Sequence, residues 1–235
     1  MKAEAIAARI GAQLAANHLV VRGWFRIEAG DLADEAEAGL SGAPALLIGN
    51  HGPAMWHAFA RSAEARDIAG DPLDRWTARM IGRAARSLQG RALFPFGKPV
   101  WPFQRWAGRA MGLKASPLGI LIHPRFGLWH ALRGAIVFPG IEIELPAVET
   151  PIHACDDCRE KPCLTACPVS AFSPRGFDAA ACRGYLAGCA SSQTDSRPDP
   201  DCMQAGCAAR AACPLGREHG YDGDQIRFHM AAFRG

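Results

Sequence analysis

The run CDDCREKPCLTACP constrains this chain more than any other stretch: it sets Cys155, Cys158, Cys163 and Cys167 within fourteen residues and closes on Pro168. Thiols so close together call for a metal, a bridging partner or an inorganic group. Five more follow, Cys182, Cys189, Cys202, Cys207 and Cys213, the last again leading into a proline. All nine fall in the last third of the 235 residues, and positions 1–154 hold none. Such a break in composition marks a boundary, and the proline-rich PAVETP (146–151) is the natural joint. The expected division is therefore 1–147, free of thiols, and 148–235, rich in them.

The first run reads Cys-x2-Cys-x4-Cys-x3-Cys-Pro, a two-residue insertion away from the run that bacterial ferredoxins use for iron-sulfur ligation. In two-cluster ferredoxins the fourth thiol of such a run serves the other cluster. By that crossing rule Cys155, Cys158, Cys163 and Cys213 hold one 4Fe-4S cluster. Cys167 then joins three of Cys182, Cys189, Cys202 and Cys207 at a second. Nine thiols less eight leaves one spare. Zinc would also accept a Cys-x2-Cys pair, but it has no use for the Cys-x3-Cys-Pro ending. Disulfides need an oxidising compartment. The opening MKAEAIAARIGAQLAANHLVV has no uninterrupted apolar core and no cleavage site after one, so it does not read as a signal peptide. The odd thiol count points the same way.

At 235 residues the chain is one large or two small domains, and only the tail could depend on metal for its fold. A charged fraction of 21% and a net charge of +3 describe an ordinary soluble protein. No block of basic residues tracks a phosphate backbone, so nucleic acid is not favoured as a partner. No apolar run is long enough to span a bilayer. The expected location is the cytoplasm.

Along the thiol-free part, Ile6, Ile10 and Leu14 make one apolar helix face. VVRGWFRIE (20–28), PALLIGN (44–50) and RALFPF (91–96) read as strands, the second buried and running into a polar turn. PAMWHAFARSAEARD and FQRWAGRAM are helical by pattern. A further helix spans 72–88, with Asp71 as its expected N-cap and Pro72 at its first position. Its Arg75, Arg79, Arg83 and Arg86 form a basic face, either solvated or addressed to an anion. Trp101, Phe103 and Trp106 are core or the wall of a flat-ligand pocket. In residues 118–146, Pro124 bars His123 from helix, a short helical piece carries Trp129, Leu132 and Arg133, and AIVFP (135–139) returns as a strand.

That last stretch carries a family resemblance. HPRFGLWHALRGAIVFPGIEI resembles the corresponding segment of the cblC-type cobalamin-processing proteins, and a weaker similarity runs from PALLIGNHGPAMWHAF through DPLDRWTARMIGRAARSL, covering roughly 40–146. The resemblance implies an α+β, flavin-reductase or nitroreductase-like domain that binds cobalamin base-off, followed by a small ferredoxin-like domain. It places Arg133 at the pocket arginine of that family and His123, Arg125, Phe126, Gly127 and Trp129 in the turn beside it. The tail, CDDCREKPCLTACPVSAF and then FDAAACRGYL, resembles the ferredoxin module of epoxyqueuosine reductase. That likeness makes Cys182, Cys202 and Cys207 the partners of Cys167, with Cys189 as the alternate for any one of them.

Together these imply an iron-sulfur corrinoid reductase with two 4Fe-4S clusters and bound cobalamin, removing the upper axial ligand by decyanation or reduction to Co(II) or Co(I). An electron-donating reductase or small ferredoxin is the expected partner, and a homodimer is an open option. No residue is assigned a catalytic role, and His51, His57, His123 and His130 are not taken as cobalt ligands. Two alternatives remain: a non-catalytic electron-transfer or cobalamin-carrier module, and a cobalamin-dependent reductase of an organic substrate.

Overall fold

The computed structural model describes residues 2–32, 35–191 and 199–235. It divides into two compact units, Met1–Leu113 with His130–Pro151, and Lys114–Trp129 with Ile152–Gly235. The sequence-drawn division leaves 114–129 with the first part, whereas the chain groups it with the second. The reason is packing: Leu118, Ile122 and Leu128 share a buried cluster with Cys163, Ala209 and Cys213.

The first unit is a four-stranded antiparallel sheet in the order β1-β2-β4-β3, built from β1 (Val20–Arg26), β2 (Pro44–His51), β3 (Arg91–Leu93) and β4 (His130–Val137). Four helices accompany it, α1 (Ala3–Leu14), α2 (Ala54–Ala60), α3 (Pro72–Arg86) and α4 (Phe103–Met111). The continuous apolar run PALLIGN has no polar face, so β2 is central and buried along almost its whole length. Gly23, at a bulge in β1, allows α4 to lie close: a Cβ there would meet the Ala110 carbonyl oxygen at 2.3 Å. Ile6, Ile10 and Leu14 of α1 are buried, as their spacing requires.

Two local expectations are corrected. The piece carrying Leu132 and Arg133 is not helical; it is the start of β4, where β-branched and small residues pair with Ala45–His51 of β2. Asp71 does stand at the start of α3, but with left-handed backbone (φ 52) and no capping bond from its side chain. Pro72 at the first helical position therefore carries the start signal.

The remaining ambiguities fall on the structural side. Trp106 is fully buried, 4.9 Å from the Phe103 ring, 5.7 Å from Trp101 and 5.0 Å from Phe25. Its Nε1 donates to Asp31 at 2.9 Å, and Arg109 pairs with the same carboxylate. On α3, Arg79 forks onto Glu64 at 2.5 and 2.8 Å and Arg75 pairs with Asp67 at 2.9 Å, so half of the basic face is satisfied internally.

The second unit has short elements: α5 (Pro162–Thr165), a hairpin of β5 (Phe172–Ser173) and β6 (Gly176–Phe177), α6 (Ala179–Ser191), α7 (Cys202–Ala205), α8 (Ala208–Ala211) and α9 (Gly223–Arg234). Residues 114–129 have no helix or strand of their own, only isolated bridges such as His123 to Gly127. No helix among the described residues is long and apolar enough to cross a membrane.

Candidate metal centres

Within the second unit the nine cysteines sort themselves spatially. Cys155, Cys158, Cys163 and Cys213 line one small cavity of about 40 Å³. Cys167, Cys182, Cys202 and Cys207 line another of about 20 Å³. The walls are otherwise mostly apolar: Pro117, Ile122, Leu128 and Leu215 at the first, Phe172, Leu186 and Met230 at the second. Cys189 is buried on α6 and belongs to neither lining. Among the described residues no group of three or more His, Cys, Asp or Glu converges as a single-ion site.

Short helices bring these thiols in from distant positions. Pro162 opens α5, which carries Cys163. Asp201 caps α7, its carboxylate accepting from the Met203 and Gln204 N–H groups, and so starts the turn that holds Cys202. Cys207 stands at the N-cap of α8, which delivers the chain to Cys213. Ala209 of α8 is fully buried; it packs with Cys163 and Cys213 and also lines the second cavity.

The electrostatics are those of thiols pressed together. Burial raises the Cys155 thiol above its ordinary value, and Cys213, Cys163 and Cys158 raise it further against an opposing Lys161. Burial and then Cys213 and Cys158 do the same to Cys163, opposed by its own and Leu164's backbone N–H. At the second cavity burial, Cys207, Cys167 and Cys202 push Cys182 up to about 11. Burial raises Cys202 and Cys207 as well, while the backbone N–H groups of Ala208 on one and of Arg210 and Ala209 on the other favour the thiolate. The Ala171 N–H donates to Cys167 Sγ at 3.3 Å. Thiolates that repel one another, with backbone donors aimed at sulfur, are a donor set suited to a cationic inorganic centre. On that chemistry the residues fit an iron-sulfur cluster.

The six residues expected to touch cobalamin are not brought together in one unit. Arg133 lies on β4, where its Nε donates to Asn50 Oδ1 at 2.9 Å, and the fully buried Asn50 has an Nδ2 with no partner among the described residues. A buried donor lacking an acceptor suits a ligand rich in amide carbonyls, so this end of β2 and β4 fits a polar ligand group. His51 and His130 face each other in the register beside it. The other five belong to the second unit. His123 Nδ1 accepts from the Arg125 and Phe126 N–H groups at 3.1 and 3.3 Å, and the Phe126 ring stacks on His123 at 4.4 Å. Gly127, at φ 54, lies so close to Leu215 that a Cβ would stand 1.9 Å from its carbonyl oxygen. The Trp129 ring takes the Arg210 guanidinium over its face at 4.5 Å. Arg210 itself donates to the Leu128 carbonyl at 3.1 and 2.6 Å.

Sequence reasoning missed Gly216, whose positive φ and close approach to Phe126 complete this clasp two residues after the Cys213-Pro214 step. A Cys-Pro followed shortly by glycine was the available signal.

The chain has a mixed α+β fold of a kind already seen in cobalamin-handling and reductase proteins. It is similar to the B12-trafficking protein CblC of C. elegans, with a TM-score of 0.58, 16% identity, and coverage of 97% of this chain and 91% of that one. It is similar also to epoxyqueuosine reductase bound to a tRNA-Tyr stem loop (TM-score 0.54, 14% identity, 95% and 68% covered). The Streptococcus thermophilus epoxyqueuosine reductase gives a TM-score of 0.52 at 15% identity, with 92% and 67% covered. At these identities the likeness is one of fold. No family model and no curated protein matches the sequence.

Proposed function

We propose that this protein is an iron-sulfur corrinoid reductase that reductively removes the upper axial ligand of cobalamin, with a nitroreductase-like first unit and a ferredoxin-like second unit. One observation carries the reading: the cysteines divide four and four around two cavities, in the crossed pairing that a two-cluster ferredoxin uses. Clusters held there supply one-electron, low-potential reduction. Cys155, Cys158, Cys163 and Cys213 would hold one, and Cys167, Cys182, Cys202 and Cys207 the other, which makes Cys189 the spare. The fold shared with a B12-trafficking protein supports cobalamin as substrate.

In this reading Arg133 and Asn50 meet the substrate's polar periphery. The turn from His123 to Trp129 serves the metal side, its clasp on Leu215 and Gly216 fixing the chain that leaves Cys213. One electron added to cyanocobalamin releases cyanide as the anion and leaves Co(II). A site that withholds water and the lower base leaves cobalt with fewer donors and makes that electron easier to accept.

The likeness to epoxyqueuosine reductase favours a second reading, reduction of an organic substrate by bound cobalamin. Anaerobic purification with iron and sulfide counts, followed by cyanocobalamin and dithionite, separates these. Cubane-type iron and sulfide with cyanide release as the spectrum passes to Co(II) is the expected result. Binding without turnover points to a carrier or the second reading, and a colourless zinc protein ends both.

A further inference from the structure

Four cations stand close in sequence to the first thiols of each set: Arg159, Lys161, Arg175 and Arg183. The structure separates them. Arg159, Arg175 and Arg183 are exposed, and Arg183 lies over the Phe233 ring at 5.3 Å. Lys161 is half-buried, and its Nζ donates to the carbonyl oxygens of Cys155 at 3.1 Å and Cys158 at 3.2 Å. It also lines the first cavity beside Cys155, Cys158, Cys163 and Cys213.

The backbone of Lys161 is unusual as well. Its φ of 41 places a long, β-unbranched side chain in the left-handed region, immediately before the proline that opens α5. Lysine gains nothing from that conformation by itself, so the surrounding structure imposes it. The consequence is directional: the side chain folds back into the Cys155–Cys158 loop instead of out into water. An ammonium anchored there by two carbonyls is a fixed positive charge at the cavity wall, held at short range from the thiols and only partly in water.

We propose that Lys161 sets the reduction potential of the first cluster, its anchored ammonium favouring the reduced, more negative state over the oxidised one. The proposal rests on the iron-sulfur reading above and goes beyond it, because it assigns one anchored ammonium to the first centre; at the second set Arg183 is exposed and the half-buried Arg210, a guanidinium donating to the Leu128 carbonyl, lies toward Cys207. Lys161 is a positioning residue, acting on the cluster through charge.

The test is an anaerobic redox titration followed by electron paramagnetic resonance on the full chain, wild type against Lys161→Gln and Lys161→Arg. Glutamine keeps an amide donor for the two carbonyls and removes the charge, while arginine keeps the charge. For Lys161→Gln one centre is expected to move to a more negative potential by about a factor of ten in its equilibrium, about 59 mV for a one-electron couple. The other centre stays in place, and Lys161→Arg restores most of the shift. Two unmoved centres in Lys161→Gln overturn the proposal. Selective loss of the first cluster from that variant, with Lys161→Arg intact, also overturns it, because the residue would then hold the loop and not set the potential. A wild-type protein with no iron-based signal sinks the iron-sulfur reading and this proposal together, whereas two wild-type centres with an unmoved glutamine variant sink this proposal alone.

Discussion

The two units bury their interiors with different materials. The first has a central strand of Ala45, Leu46, Leu47 and Ile48, all fully buried, backed by Ile6, Ile10, Trp76, Trp106 and Phe138. The second buries Cys163, Cys189, Cys202 and Cys213 among fewer large apolar side chains, and its elements are mostly a single turn long. A sheet with a packed apolar core holds itself together. Four-residue helices do not, since nucleation costs more than so few bonds return. On the iron-sulfur reading proposed above, the contrast makes the second unit the one whose fold should depend on bound clusters, while the first should stand without them.

The largest effect follows directly. On that reading, stripping metal with a chelator, or substituting Cys163→Ala, empties the first cavity, beside which α5, α8 and residues 114–129 pack in one buried cluster. Hydrogen exchange should then lose protection across 152–191 and 199–235 and, in the same step, at 114–129. That is the whole stability of a small domain, on the order of 5 kcal/mol. Amides of β1, β2 and β4 should stay protected. Exchange at 114–129 that tracks the sheet instead would undo the grouping of that segment with the cysteines.

A smaller effect tests the clasp alone. Gly127→Ala must accept a left-handed φ, which costs about 1 kcal/mol, and must also displace the Leu215 backbone from a position 1.9 Å from the new Cβ. The expected loss is about 3 kcal/mol or more in denaturant unfolding, with faster iron release from the first centre. Gly119→Ala is the control: its φ of 76 is equally left-handed, but nothing lies within 4 Å of the added Cβ. It should lose only the conformational part, about 1 kcal/mol. Equal losses at the two positions would mean that the close approach carries no weight.

How much of this was legible in advance follows the same divide. Strands at 20–28 and 44–50 and helices around Ile6 and Trp76 could be read because apolar periodicity and β-branching act locally. Spacing within the first run and the two Cys-Pro steps suggested two sets of thiols but left open which three of Cys182, Cys189, Cys202 and Cys207 accompany Cys167; the cavity linings group Cys182, Cys202 and Cys207 with it. What could not be read was the path of residues 114–129. Their apolar side chains look like any core run, and the surface they cover, near Cys163 and Cys213, lies far along the chain. The turn His123 to Trp129 likewise advertises polar and aromatic groups. Only its contacts show that His123 bonds its own loop and that Trp129 stacks on Arg210. Pattern finds an element; it does not find the partner of an irregular segment.

The smallest effects lie in the first unit and pit a buried carboxylate against a more exposed pair. Asp31 is desolvated, yet hydrogen bonds from the Glu28 backbone, Arg109 and Trp106 hold its carboxyl below the ordinary value of 3.8. Asp31→Ala leaves the Trp106 Nε1 donor buried without an acceptor and should cost about 3 kcal/mol. Glu64 is held at about 2, from 4.5, first by its hydrogen bond to Arg79. The Arg79 side chain is 43% exposed, so water and salt screen the pair and Glu64→Gln should cost under about 1 kcal/mol. Both folded values are depressed, so each contribution is fully present above the unfolded value and lost as pH falls through the folded one. For Glu64 that window runs from 4.5 down to about 2. Unfolding of wild type and Glu64→Gln should therefore differ at neutral pH and converge near pH 2, and 1 M salt should shrink the difference at pH 7. The Asp31→Ala deficit, set in the interior, should survive the salt.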